Sequence, residues 1–139
     1  MIVLDTNVIS ELMRVVPDQN VIDLVDRYPA EQVFTTAVTA AELLYGVSRL
    51  PEGRRKTTLA LKVDELLTED FEGRILPFAS HIAPHYADIV TSREQNGKAI
   101  SMADAQIAAI CRFNRADLVT RNVKDFDDTN IRIVNPWVG

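Results

Sequence analysis

Met1-Ile2-Val3-Leu4-Asp5-Thr6-Asn7-Val8-Ile9 opens the chain. Four apolar residues stop at an acid, and from Thr6 to Arg14 the residues Val8, Ile9, Leu12 and Met13 recur at helical spacing. The passage reads as a short strand running straight into a helix. The same order returns at Val33 to Thr36, a β-rich run before a helix that Thr39 opens and whose apolar face carries Leu43, Leu44 and Val47. Pro51-Glu52-Gly53 closes that helix. Arg74 to Phe78 reads as a third strand, followed by a helix from Ser80 to about Gln95 with Pro84 in its first turn and Asn96-Gly97 as its stop. Amphipathic helices fill the intervals, one through Val21, Ile22, Leu24 and Val25, another from about Arg55 to Leu67. Ser101 starts the last helix, which runs to about Asn114, and Leu118 to Thr120 and Ile131 to Val134 are the remaining strands. Short strands separated by helices, without hairpin turns, indicate the α/β class: a mostly parallel central sheet of four to five strands, flanked by helices on both faces.

Composition agrees with one domain over residues 1–139. The chain is 47% hydrophobic and 25% charged, which excludes disorder. At this size roughly two thirds of the unfolded surface can be buried, so neither a disulfide nor a structural metal is required. The single Cys111 lies in the apolar run Ile107 to Cys111 and reads as a small buried hydrophobe in a reducing cytoplasm. No signal peptide or membrane segment is expected. The net charge of −5 does not show the basic excess usual for nucleic-acid partners. Two basic clusters nevertheless stand out, Arg49, Arg54, Arg55 and Lys56, and the smaller pair Arg121 and Lys124. Each is either solvated surface or a track for phosphates.

In parallel α/β sheets ligands bind beyond the carboxyl ends of the strands, so the polar residues that follow strands matter most. Asp5 follows the first strand and precedes a helix. It suits a metal ligand, although on its own it reads first as a helix cap. Glu42 in Thr39-Ala40-Ala41-Glu42 and Asp104 in Ser101-Met102-Ala103-Asp104 each fit a capping box, worth about 1 kcal/mol without any metal. Three acids at three helix starts on one sheet edge also suit a hard divalent cation, which takes a few carboxylates and keeps its waters. Thr120-Arg121-Asn122-Val123-Lys124-Asp125-Phe126 offers two further oxygen donors, Asn122 and Asp125, or simply turn chemistry. His81 and His85 lack the acid of a zinc-protease motif, no phosphate loop or nucleophile elbow is present, and Trp137 reads as a packing anchor.

Ile2 to Val8, Thr39 to Leu43, Ala103-Asp104, and Thr120-Arg121-Asn122 with Asp125-Phe126 together resemble the PIN domain. Gly73 to Phe78 and Asn135-Pro136-Trp137 are similar to the FitB-like branch of the VapC toxins. The resemblance covers essentially the whole chain. It implies an endoribonuclease toxin of a type II toxin–antitoxin pair, dependent on Mg²⁺ with Mn²⁺ as a substitute. It assigns Asp5, Glu42 and Asp104 as the catalytic, metal-holding acids, with Asn122 or Asp125 as a fourth and Thr6 and Thr120 as supporting hydroxyls. It further implies an RNA substrate, a cognate antitoxin, a homodimer and a larger assembly on operator DNA. In that chemistry Asp5 and Asp104 hold the metal, Glu42 binds it or orients the attacking water, and the products carry 5′-phosphate and 3′-hydroxyl ends. Two other readings compete. One is a non-catalytic PIN-like binding module whose acids are only caps. The other is a Mg²⁺-dependent phosphatase with Asp5 as nucleophile, which would need an acid where Asn7 stands.

Overall fold

In the computed structural model, which describes residues 1–138, the opening apolar run becomes β1 (Ile2–Leu4), the centre of a five-stranded parallel sheet. Its neighbours are β2 (Val33–Thr36), β3 (Ile75–Leu76), β4 (Asp117–Val119) and β5 (Ile133–Val134), in the order β3-β2-β1-β4-β5. Among the described residues the α-helices are α1 (Thr6–Leu12), α2 (Gln19–Asp26), α3 (Ala37–Ser48), α4 (Arg54–Glu65), α5 (Ala83–Gln95) and α6 (Met102–Asn114). The chain lays strands outward from β1 to β3, then crosses back to add β4 and β5 on the other side. The reversal falls between β1 and β4, and a crevice at their carboxyl ends is the place such a sheet offers a ligand.

Strand alternation divides the core in two. Ile2 and Leu4 pack on one face with Val8, Ile9, Leu43, Val47 and Val63, whereas Val3 packs on the other with Ile82, Ile89 and the Ile107 to Cys111 run of α6. Both faces are covered, which is why β1 is continuously apolar. Cys111 is buried there, and burial pushes its thiol up. No helix among the described residues is long and apolar enough to cross a membrane.

Several boundaries differ from the sequence reading. The helix after β2 begins at Ala37, because the Thr36 hydroxyl caps it by accepting from the Thr39 N–H at 3.1 Å. Thr39 therefore lies inside the first turn, fully buried, and the expected Thr39/Glu42 capping box does not form. The strand's last residue doubles as the cap, a role that alternation alone does not reveal. The buried face of α3 is Thr39, Leu43 and Val47; Leu44 is 51% exposed. The first helix ends at Leu12 rather than Arg14, and α4 passes at Leu66–Asp70 into a wider, π-helical turn. The segment from Ser80 opens as a tighter 3-10 turn to Ile82 before α5, whose first turn holds Pro84. The third and fifth strands shrink to Ile75–Leu76 and Ile133–Val134, and the fourth is Asp117–Val119. Thr120, just past β4, still donates its N–H to the Val134 carbonyl at 3.0 Å, which holds it at the sheet edge.

Candidate active site

Asp5 leaves β1 with its backbone N–H bonded to the Val119 carbonyl at 3.0 Å, so the sheet itself sets its position at the switch point. Its side chain is 5% exposed. Oδ1 accepts from the Thr6 N–H at 2.8 Å, and Oδ2 accepts from the Thr120 hydroxyl at 2.8 Å and the Asn7 amide at 3.3 Å. A carboxylate that served only as a cap would be held low by such bonds. Here burial outweighs them and, with a contribution from the Asp125 charge, raises the Asp5 pKa above its ordinary value.

The buried Thr120 hydroxyl ties Asp5, Asn7 and the Asn122 backbone together. It donates to Asp5 and accepts from the Asn122 N–H at 3.0 Å. Asn7 completes the brace, its amide 3.3 Å from the Thr120 hydroxyl and its carbonyl oxygen accepting from the Arg121 N–H at 3.1 Å. The phosphatase reading required an acid at Asn7; instead the amide is committed to holding Asp5 and the loop after β4. Thr120→Val keeps the shape but strips partners from a buried carboxylate oxygen and an N–H. The expected loss in urea unfolding is about 1–3 kcal/mol at unchanged m-value.

Glu42 comes from the second turn of α3 and is exposed. Its Oε1 accepts from the Thr6 hydroxyl at 2.7 Å, while the hydroxyls of Thr6 and Thr39 lie 3.2 Å apart. Thr39 is thus a supporting residue of the site, not the opener of its helix. The signal for it was present in the sequence: a hydroxyl one turn before Glu42 on the inward face.

Asp104 does sit where the capping box puts it, at the third position of α6, with its N–H donated to the Ser101 hydroxyl at 3.1 Å. A helix start should favour its ionised form. Its pKa is nevertheless pushed up to about 6, first by burial, then by the Asp5 charge, against the lowering bond of Ser101, with Asp125 and Glu42 adding repulsion. Asp104 thus feels the charges of both other expected acids and of Asp125. Of the two candidates for a fourth donor, Asp125 bears on Asp5 and Asp104 by its charge, whereas Asn122 is tied in by its backbone.

No three His, Cys, Asp or Glu side chains among the described residues form a ready-made metal cage. The acids repel one another through one shared field. All their donors are oxygens from exposed or half-buried side chains around one buried anchor, which fits a hard cation that retains much of its water shell.

Basic residues surround this pocket unequally. A groove of about 1010 Å³ starts at Thr6 and Glu42, runs over the apolar floor of Met13, Leu43, Leu59 and Val63, and is bordered by Arg54 and Arg55. Lys56 is tied down by Glu52 at 2.8 Å and by the Ser48 carbonyl, and Arg49 stands over the Tyr45 ring at 5.7 Å. Lys124 lies in the 3-10 turn Val123–Phe126 with Asp125. Trp137 packs against the core, with the Arg121 guanidinium over its ring. His81 and His85 pack edge-on against Phe113, remote from the acids in role.

Comparison with known proteins adds an independent line. A family model described as the PIN domain matches residues 2–131. The VapC ribonuclease Y4jK of Sinorhizobium fredii is 36% identical over 99% of this chain and 98% of its own length. Toxin FitB of Neisseria gonorrhoeae is 38% identical, with 99% of each chain covered. The solved structure of FitAB bound to an IR36 DNA fragment matches at a TM-score of 0.91 and 37% identity, covering 99% of this chain and 96% of that one.

Proposed function

Because the chain belongs to the PIN-domain family, on the VapC branch that includes FitB, we propose that it is a Mg²⁺-dependent endoribonuclease toxin. Its pocket of Asp5, Glu42 and Asp104 hydrolyses RNA phosphodiester bonds, and a cognate antitoxin inhibits it. The observation that carries this reading is the raised Asp104 carboxyl, which sits at a helix start and yet is pushed up to about 6 by burial and three acidic neighbours. Caps alone have no reason to crowd together.

Asp5 is the fixed point, its orientation set by the Thr6 N–H, the Thr120 hydroxyl and the Asn7 amide. Asp104, at the start of α6, feels the Asp5 charge and would share the metal with it, with Asp125 or Asn122 as a further donor. Mg²⁺ held by Asp5 and Asp104 would neutralise the site for an incoming phosphodiester and acidify a water for in-line attack. Glu42, steadied on Oε1 by Thr6, would keep Oε2 for an attacking water and accept its proton. Bond cleavage then leaves a 5′-phosphate on one fragment and a 3′-hydroxyl on the other. Arg54 and Arg55, sharing a groove with Glu42, give the RNA backbone cations beside an acidic pocket. The similarity to FitAB bound to a DNA fragment supports an antitoxin partner and assembly on operator DNA for this chain too, and a homodimer is part of the same proposal.

Purified protein incubated with single-stranded RNA in Mg²⁺ should yield fragments whose 5′ ends are phosphorylated, and chelator should stop their formation. Fragments ending in 2′,3′-cyclic phosphate, formed with or without metal, would refute the mechanism.

A further inference from the structure

Arg121 is a cation that the acid pocket leaves unused. Its N–H is bonded to Asn7 at the pocket floor, and its guanidinium carbon lies 4.7 Å from the centre of the Trp137 ring. That ring is a fixed platform. The Trp137 N–H donates to Asn135 Oδ1 at 3.0 Å, its carbonyl accepts from Asn20 at 3.3 Å, and its side chain packs against the core cluster of Val8 and Val21. Among the described residues the ion-paired cations are Arg14, Lys56, Lys98, Arg112 and Arg132. Arg74 and Arg93 spend their side-chain donors on backbone carbonyls. Exposed Arg121 does neither.

Glu11, one turn of α1 beyond Asn7, feels the Arg121 charge. Glu11 is already served by the Asp18 N–H at 2.9 Å and by Arg14 at 3.3 Å. With its backbone N–H on Asn7 at the pocket floor and its guanidinium held on the Trp137 ring rather than by an acid of the pocket, Arg121 is placed to meet the phosphate next to the reacting one. Arg49 makes a useful contrast. It too stands over a ring, but Tyr45 is 66% exposed and has no bond to the pocket.

An arginine already ordered by stacking, with its forked donors unclaimed, binds phosphate at a reduced entropic cost. We propose that Arg121, braced on Trp137, holds the phosphate adjacent to the scissile one and so sets the register of single-stranded RNA across the pocket. The proposal rests on the ribonuclease reading.

The test compares wild type, Arg121→Ala and Arg121→Lys in RNA cleavage between 50 and 200 mM salt. Binding of a cleavage-resistant 2′-O-methyl oligoribonucleotide is followed in parallel by the fluorescence of Trp137, the only tryptophan in the chain. Arg121→Ala should lose about tenfold in kcat/KM, carried by KM, and its log–log salt slope should fall by about 0.7, one single-strand phosphate contact. Arg121→Lys should keep the slope and recover only part of the affinity, because ammonium stacks poorly and lacks the fork. Metal- and Asp104-dependent cleavage with an unchanged kcat/KM and slope in Arg121→Ala would overturn the proposal and leave the ribonuclease reading standing. A wild type that neither binds the oligonucleotide nor cuts RNA would bring down both.

Discussion

Asp104→Asn is expected to slow RNA cleavage at least about a thousandfold, on the order of 4 kcal/mol of transition-state stabilisation. The same change should make the metal-free protein more stable. Asp104 is ordinary in the unfolded chain, while burial and the charges of Asp5, Asp125 and Glu42 raise it to about 6 in the folded one. Ionisation therefore costs the folded state nothing below about pH 4, progressively more between 4 and 6, and its full amount above. A half-buried group is partly screened, so the penalty above pH 6 is about 1 kcal/mol. Asparagine cannot ionise and escapes it. Melting at pH 7.5 in chelator should show the variant about 4 °C above wild type, and the two should converge near pH 4. A variant that loses activity and stability together would be merely damaged. One that loses activity and gains stability identifies an acid kept for function at the fold's expense.

The largest effect on folding belongs to Arg93, which the sequence reading passed over. It is 4% exposed on α5, and among the described residues it forms no ion pair with a carboxylate. Its guanidinium instead donates to four carbonyls, Lys98 at 2.8 Å, Ala99 at 2.9 Å, Asp125 at 3.2 Å and Asp127 at 2.6 Å. It thereby joins the loop that leads into α6 and Asp104 to the turn that carries Asp125. Lys98 adds an outer tie, 2.8 Å from Asp128. Arg93→Met fills much of the volume but leaves those carbonyls without donors in a buried place, at a cost of about 3–5 kcal/mol. For a chain of this length the melting point should fall by roughly 12–20 °C. Because two of the acids hang from these loops, cleavage should suffer even where the variant remains folded.

These two residues also mark what the sequence could and could not disclose. The parallel sheet was legible because its strands are buried on both faces, so Ile2 to Leu4 and Val33 to Thr36 stand out as short apolar or β-branched runs before helices. Asp5 and Asp104 were legible for a related reason: a strand end or a helix start is a position that pattern reveals. Thr39 was misread as a helix opener because Thr36, a strand residue, does the capping, and hydroxyls at either position satisfy the same local rule. Asn7 and Arg93 act through partners 114 and about 30 residues away, and no local periodicity encodes such contacts. Strand ends were overestimated at β3 and β5 because apolar content continues past the point where a neighbouring strand is available to pair.

The most direct test is single-turnover cleavage of end-labelled single-stranded RNA by three samples: wild type with Mg²⁺, wild type with chelator, and folded Asp104→Asn with Mg²⁺. Cutting is expected in the first alone. Equal cutting in all three would mean that Asp104 is only a helix cap and that the chemistry needs no metal and lies elsewhere.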